Sequence, residues 1–518
     1  MNKYKILGVL SFFLLLSTSC QDYLDINTNP NSATSATPDL VLPQAIVGFA
    51  NISNQFNAYG GHFGGYIANA GGFSGFGNLF NYNLVPANYN GLWVNSYDNL
   101  QDLNYVIKET EGKDELAYYN AAATILMAAG YQRLVDTFND VPYSEALSSD
   151  ETLIPKYDDA STIYASLFAN LDNAIKLIDN AKFPLSLNGS SDPLFAGNMT
   201  SWKRFANTLR LRMSLRTDGA LTGIDSSIGF LNTDAIVNPG YVKDKPNPLW
   251  ATWGYTTTGT LSNSSRIPTK FSFGFYDGNK LADAGRGGVI FKSFSVGGTA
   301  TPVNQLGNEV DNPAIITNYP TWYTGTYSSS SSISNALGVL KGPSQGQVLM
   351  LHAESLFLQS EARLRGILTD GDFAADFNAG IKASYTYLYK DVTNVLSPDK
   401  DVNADFEAYK LANEGKYLVN ISAANGQTEQ LEAIITQKYI ALNMINSDES
   451  WNEYRRTGFP KTDPKGTAYE NMAALLSNST RPDKLPTRVL YPSSEQSYNS
   501  SNYKAIDQFS DKIFWDKN

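Results

Sequence analysis

From Leu40, apolar residues at Leu42, Ile46, Phe49, Ile52 and Phe56 recur at steps of three and four, which predicts a first amphipathic helix. The pattern breaks over Tyr59 to Gly91, where Gly60-Gly61-His62-Phe63-Gly64-Gly65-Tyr66 and Gly71-Gly72-Phe73-Ser74-Gly75-Phe76-Gly77 set rings between glycines. Glycine costs a helix about 1 kcal/mol per residue, so this stretch reads as a long, ring-bearing loop. Helical spacing resumes at Trp93, Tyr97, Leu100, Asn104 and Ile107, and again from Leu116 to Leu134, where many alanines allow a neighbouring helix to come close. Pro142 closes that run. Ile163, Leu167, Leu171, Ile175 and Ile178 mark the next helix, with Ser161 as its expected cap. Trp202, Phe205, Leu209 and Met213 mark the one after. Between about 229 and 347 the periodicity disappears and Gly, Ser, Thr, Asn and Pro dominate. Helical patterns return at Val348 to Arg365, Phe373 to Tyr389 and Leu431 to Met444, and Arg481 to Tyr503 reads as Pro-rich and extended. The expected architecture is all-α, with helices from both halves of the chain holding one large irregular middle.

Before the first helix the chain has a different logic. Lys3 and Lys5 precede a short apolar run, Ile6 to Leu16, and Ser17-Thr18-Ser19 leads to Cys20, the only cysteine. That order of charge, apolar core and small residues is a signal peptide. A spanning helix needs about 18 or more apolar residues, and this run is shorter. The cysteine after small residues resembles a bacterial lipobox, which implies cleavage before Cys20 and its lipidation, although Ser17 stands where that motif usually has Leu. Residues 1–19 are thus read as signal peptide, 20–39 as a lipidated tether, and 40–518 as a single helical domain with a loop-rich insertion at about 229–347. Asp22, close behind the cysteine, resembles a surface-export signal.

Composition changes the picture in two ways. A secreted chain with one cysteine has no internal disulfide and must hold itself by packing. The formal net charge is −11, and two of the positive charges leave with the signal, which argues against nucleic acid or anionic membrane as a partner. Against this background, Lys203, Arg204, Arg210, Arg212 and Arg216 on one helix stand out. The expectation is that they pair with acidic neighbours and cover apolar surface with their stems. Glu449, Glu453, Arg455 and Arg456 are likewise expected to form internal ion pairs at a helix end.

Catalytic and metal signatures are absent from the sequence. His62 and His352 are the only histidines, and there is no Gly-x-Ser-x-Gly elbow, phosphate loop or His-Glu-x-x-His. His352 and Glu354, two apart, do not share a helix face. No cofactor and no metal are expected, and Asp136, Asn139 and Asp140 read as turn and capping groups. Paired carboxylates of a glycan hydrolase leave no motif, but an enzyme is not the expected reading. The candidate ligand-binding residues are rings placed in loops: Trp250, Trp253 and Trp322 first, then Phe73, Phe76 and Tyr82. Tyr255, Tyr323 and Tyr327 stand in the same segments. Trp93 and Trp202 lie on helical patterns and are assigned to the core.

Several fragments, in order along nearly the whole mature chain, resemble the SusD/RagB family of nutrient-binding outer-membrane lipoproteins: Phe138 to Ala146, Trp202 to Arg212, His352 to Ala362, Phe377 to Ser384, Gln437 to Leu442, Trp451 to Pro460 and Pro486 to Pro492. The resemblance implies tetratricopeptide-like helical pairs as a scaffold, with long irregular loops carrying the ligand site. It also implies a lipid-anchored place on the outer membrane, facing the cell exterior, and a partner, a SusC-type TonB-dependent transporter. The ligand would be an oligomeric nutrient, with an oligosaccharide expected and peptides as the alternative. The family's Asp-Pro-Arg stretch is here Asp283-Ala284-Gly285-Arg286, and the Gly-Phe repeats near Phe73 have no counterpart, so ligand identity does not transfer.

Overall fold

The apolar stripe from Leu42 builds α1 (Pro38–Phe63), with Pro38 in the first turn, where a missing backbone donor costs nothing. The structure, a computed structural model, describes residues 36–72, 76–148, 152–298, 300–310, 318–328, 330–331 and 334–518. Cys20 and Phe73 lie outside these. After α1 come β1 (Ile67–Asn69), α2 (Asn90–Thr110), α3 (Ala117–Phe138), α4 (Ala160–Asn180) and α5 (Met199–Arg216). The middle holds β2 (Ala235–Val237), α6 (Pro248–Trp253), β3 (Arg266–Pro268), α7 (Lys270–Phe273) and α8 (Ala284–Ile290). The last part has β4 (Gln347–Met350), α9 (His352–Leu364), α10 (Phe373–Tyr389), α11 (Val402–Ala412), α12 (Gln427–Ala441), α13 (Ser447–Thr457) and α14 (Ser493–Tyr498).

Successive helices pack as neighbours: α1 on α2, α2 on α3, α3 on α4, α4 on α5, and in the second half α9 on α10. These are the expected tetratricopeptide-like pairs. Two short sheets tie distant segments together. β1 pairs antiparallel with β3, setting Asn69 opposite Arg266, and β2 pairs antiparallel with β4. The second sheet corrects the expected helix at Val348: residues 348–350 are strand, and α9 starts only at His352. Asp159, not Ser161, caps α4, because its carboxylate accepts the Thr162 N–H. α11, capped by Asp401, and the short α14 had no strong periodic signal.

A second correction concerns α1, which runs through Gly60, Gly61, His62 and Phe63 where the glycines predict a loop. Here the glycines serve contact. A Cβ at Gly60 would lie 2.0 Å from the backbone nitrogen of Asp448, so α1 and α13 touch backbone to backbone. Asn57 seals the contact: it accepts the Ser447 N–H at 2.9 Å and donates to the Met444 carbonyl at 2.9 Å.

Lys203, Arg210, Arg212 and Arg216 of α5 do pair with acids, whereas Arg204 meets none among the described residues. Arg212 meets Glu354 of α9 at 2.5 Å, and Arg216 bonds both Asp136 of α3 and Glu449 of α13. Lys438 of α12 meets Glu453 at 3.1 Å, and Arg456 joins Glu453 to Glu361 of α9. Arg212, Arg216, Lys438, Arg456 and these partners are buried. Asp136 also accepts the Tyr164 hydroxyl and the Trp515 indole N–H, so it is a buried ion-pair residue inside α3 rather than the turn or capping group expected. Glu354 is committed to Arg212, with Lys438 at 3.9 Å. Asp283 and Arg286 form a buried pair between Tyr385 and Tyr409, clamping α8 onto α10. Ionic contacts thus join helices of the two halves, and they fix the platform on which the middle segment sits.

Candidate functional site

The described rings singled out from sequence are not on show. Trp250, Trp253 and Trp322 are 2–3 % exposed, Phe76 5 % and Tyr82 0 %. This corrects the picture of loop rings facing solvent. Trp250 and Trp253 lie on α6, a short helix started by Asn247, whose side chain accepts the Trp250 N–H. Trp253 packs edge-on against Trp322 with ring centres 5.4 Å apart, and Trp250 packs edge-on against Tyr323 at 5.0 Å. Phe76 stacks on Phe80 and lies under the Arg266 guanidinium. Tyr82 stacks on Phe63 and accepts the Ala474 N–H. Trp93 and Trp202 are core residues as expected, and the Trp202 indole donates to Asp192 at 2.8 Å.

The partly exposed rings of this cluster are Tyr255 and Tyr327. They stack with centres 4.4 Å apart and planes 30° apart, as an outer layer over Trp250 and Tyr323. Their hydroxyls are tied down: Tyr327 donates to the Thr256 carbonyl at 3.1 Å and Tyr255 to the Asn318 carbonyl at 3.3 Å. Gly254 makes room, since a Cβ there would stand 2.6 Å from the Trp250 ring. Held rings lose little freedom on contact with a ligand, which favours stacking.

Beside α6 a cavity of about 310 Å³ opens between α1 and the start of α2, lined by Asn54, Tyr59, His62, Tyr89, Gly91 and Thr252 among others. Asn54 donates to Thr252 at 2.9 Å and to the Pro248 carbonyl at 3.2 Å, so the cavity and the aromatic cluster share α6. The Asn54 Oδ1 and the Tyr89 hydroxyl are buried without a partner. His62 accepts a hydrogen bond from Arg266 Nε at 3.3 Å through Nε2. Its Nδ1 lies near the Ala58 carbonyl, outside hydrogen-bonding geometry. Burial, together with the Arg266 charge, pushes the His62 pKa down to about 3, so the ring is neutral at ordinary pH. Burial likewise keeps the Tyr59 and Tyr89 hydroxyls protonated. Periodicity misses these residues because it marks only where side chains point. The usable signal is polarity on a buried stripe: Ser53, Asn54 and Asn57 all fall on the packed side of α1.

Among the described residues no three His, Cys, Asp or Glu side chains assemble as a metal-binding group, and no helix is long and apolar enough to cross a membrane. The arrangement is suited to recognition: a layered aromatic cluster carried by the irregular middle, beside an uncharged polar recess that α1 and the start of α2 line together with Thr252 of α6. Proteins built this way form a known class. Residues 30–245 match the SusD-like family profile described as "Starch-binding associating with outer membrane", and residues 321–514 match that of the "Susd and RagB outer membrane lipoprotein". The chain belongs to the SusD/RagB family. No curated protein sequence matches it. Among solved structures it is similar to a SusD/RagB family protein from Bacteroides thetaiotaomicron, at 17 % identity and TM-score 0.69, covering 93 % of this chain and 99 % of that one. A SusD homologue from Bacteroides uniformis matches at 22 % identity and TM-score 0.65, covering 92 % and 99 %. A chitin-binding SusD homologue from Flavobacterium johnsoniae matches at 22 % identity and TM-score 0.64, again covering 92 % and 99 %. These likenesses carry the fold.

Proposed function

We propose that the chain is a lipid-anchored protein on the outer face of the outer membrane, which captures an oligosaccharide and hands it to a SusC-type TonB-dependent transporter. The anchor would be Cys20, and stable anchoring needs more than one acyl chain. Metabolic labelling with palmitate is expected to mark the wild-type protein and to be lost in Cys20→Ala; labelling that persists would place the lipid elsewhere or remove it from the account. The protein would bind without catalysing.

The observation that carries the ligand reading is the braced pair Tyr255 and Tyr327, rings that keep partial exposure while Trp250 and Tyr323 support Tyr255 from within. The apolar face of a sugar ring covers such a surface. Removing on the order of 100 Å² of apolar area from water contributes roughly 2.5 kcal/mol before entropic costs. A few contacts of this size give the weak, reversible capture that onward transfer requires. In calorimetric titration of residues 21–518, the double variant Tyr255→Ala, Tyr327→Ala is expected to lose about tenfold or more in oligosaccharide affinity while remaining folded. Undiminished affinity would sink the stacking account. Competition by peptides rather than by glycans would move the reading to a peptide ligand.

A further inference from the structure

Resting on that reading, we propose that the recess between α1, α2 and α6 is a subsite for one uncharged, hydroxyl-bearing sugar unit, recognised by Asn54, His62 and Tyr89 and closed on one side by Thr252. The cavity volume, about 310 Å³, falls at the lower end of small-ligand pockets, which run roughly 300–1,000 Å³. The decisive feature is its unfinished hydrogen bonding. Buried polar groups are nearly always paired, and leaving one unpaired costs stability that a ligand can restore by pairing it. Here Asn54, 7 % exposed, spends its amide donors on Thr252 and Pro248 and leaves Oδ1 without a partner. His62, 6 % exposed, holds Nε2 against Arg266, which assigns the ring proton to Nδ1, where no acceptor stands in bonding geometry. The Tyr89 hydroxyl, which can both donate and accept, is also unpartnered.

Together these offer an acceptor, a donor and a group that is both, which is what adjacent sugar hydroxyls satisfy. No ionised side chain lines the recess. Arg266 is engaged by the His62 imidazole and by the Phe76 ring and is not part of the lining, although its charge reaches both His62 and Tyr89. A carboxylate or sulfate would therefore enter a desolvated space with no cation in its lining, at a cost that an uncharged ring avoids. The subsite thus separates neutral from acidic glycans, a distinction that stacking alone does not make.

The test uses two variants. Tyr89→Phe removes only the orphan hydroxyl, so thermal stability is expected to stay level or rise. Gly91→Leu fills the cavity mouth from a position where a Cβ meets nothing nearer than 3.5 Å. With chitopentaose and maltoheptaose as neutral probes and oligogalacturonate as the acidic one, wild type is expected to prefer a neutral probe. Tyr89→Phe is expected to weaken that binding about tenfold, and Gly91→Leu at least as much. Neutral-probe affinity unchanged in both folded variants would overturn the subsite while leaving oligosaccharide capture standing. Preference for oligogalacturonate would overturn the selectivity, and no binding of any probe by wild type would overturn both the subsite and the capture reading.

Discussion

Arg216→Met is expected to destabilise the protein by about 3–5 kcal/mol, because it keeps the side-chain bulk but leaves two buried carboxylates facing a space where their cation stood. Asp136 and Glu449 both bond Arg216, and all three are 1 % exposed at the side chain. Asp136 keeps the Tyr164 hydroxyl and the Trp515 indole, so Glu449 is the more exposed to the loss, with Arg212 at 3.5 Å as its remaining ion pair and Lys438 and Arg133 acting from farther off. The double variant Arg216→Met, Glu449→Gln is expected to recover part of the stability, since the orphan charge is then gone.

The acid limb gives a second readout of the same network. Burial would raise the Glu449 pKa, but Arg212 and Arg216 outweigh it and hold the group down to about 2, against an ordinary 4.5. A carboxylate with a depressed folded pKa contributes stability above its unfolded pKa, and that contribution is lost as pH falls from about 4.5 toward 2. Asp448 has the opposite sign: burial raises it to about 6, Arg133 only partly offsetting this. Its contribution is present below 3.8 and is lost as pH rises through about 6. Arg216→Met raises Glu449, so the variant should suffer more at pH 7 than at pH 4. Urea unfolding at the two pH values checks this; an equal penalty at both would show that the loss is packing and not charge.

Gly60→Ala is expected to cost about 1–3 kcal/mol, toward the upper end. Helix propensity alone predicts the reverse, since Ala in a helix interior is favoured over Gly by about 1 kcal/mol. Geometry wins because the new Cβ would stand 2.0 Å from the Asp448 nitrogen and 2.3 Å from its Cα, and backbone atoms cannot swing aside. α1 would have to move from α13, carrying Tyr59 and His62 with it, so ligand affinity should fall along with stability. Gly91→Ala is the control: it meets only ordinary contacts and should be neutral or mildly stabilising. A stabilised Gly60→Ala protein in thermal unfolding would show that the two helices do not meet as closely as described.

Local signals were readable where one segment decides its own structure. The 3.6-residue spacing marked α2, α3, α4, α5 and α10 close to their observed ends, because an amphipathic stripe forms wherever the chain packs on one side. It failed at Gly60-Gly61, at the strand Gln347–Met350 and for the rings of α6, each a place where a distant partner decides. Trp253 is buried because Trp322 covers it, and nothing near either tryptophan in sequence records that meeting. The fate of the α5 arginines was legible as chemistry, since an acidic chain must supply partners for them, but which acids answer depends on α3, α9 and α13 converging.

By itself, then, the sequence determined the run of helices and the broken middle and, through the order of its fragments, the family. Only the tertiary structure decided which rings stay partly exposed, which charges are neutralised inside, and where Asn54, His62 and Tyr89 meet with bonds unfilled. The physical reason is one of range. Helix formation and export signals are written within a few residues of one another, whereas burial, ion pairing and a recess are properties of surfaces that segments far apart in the chain bring together.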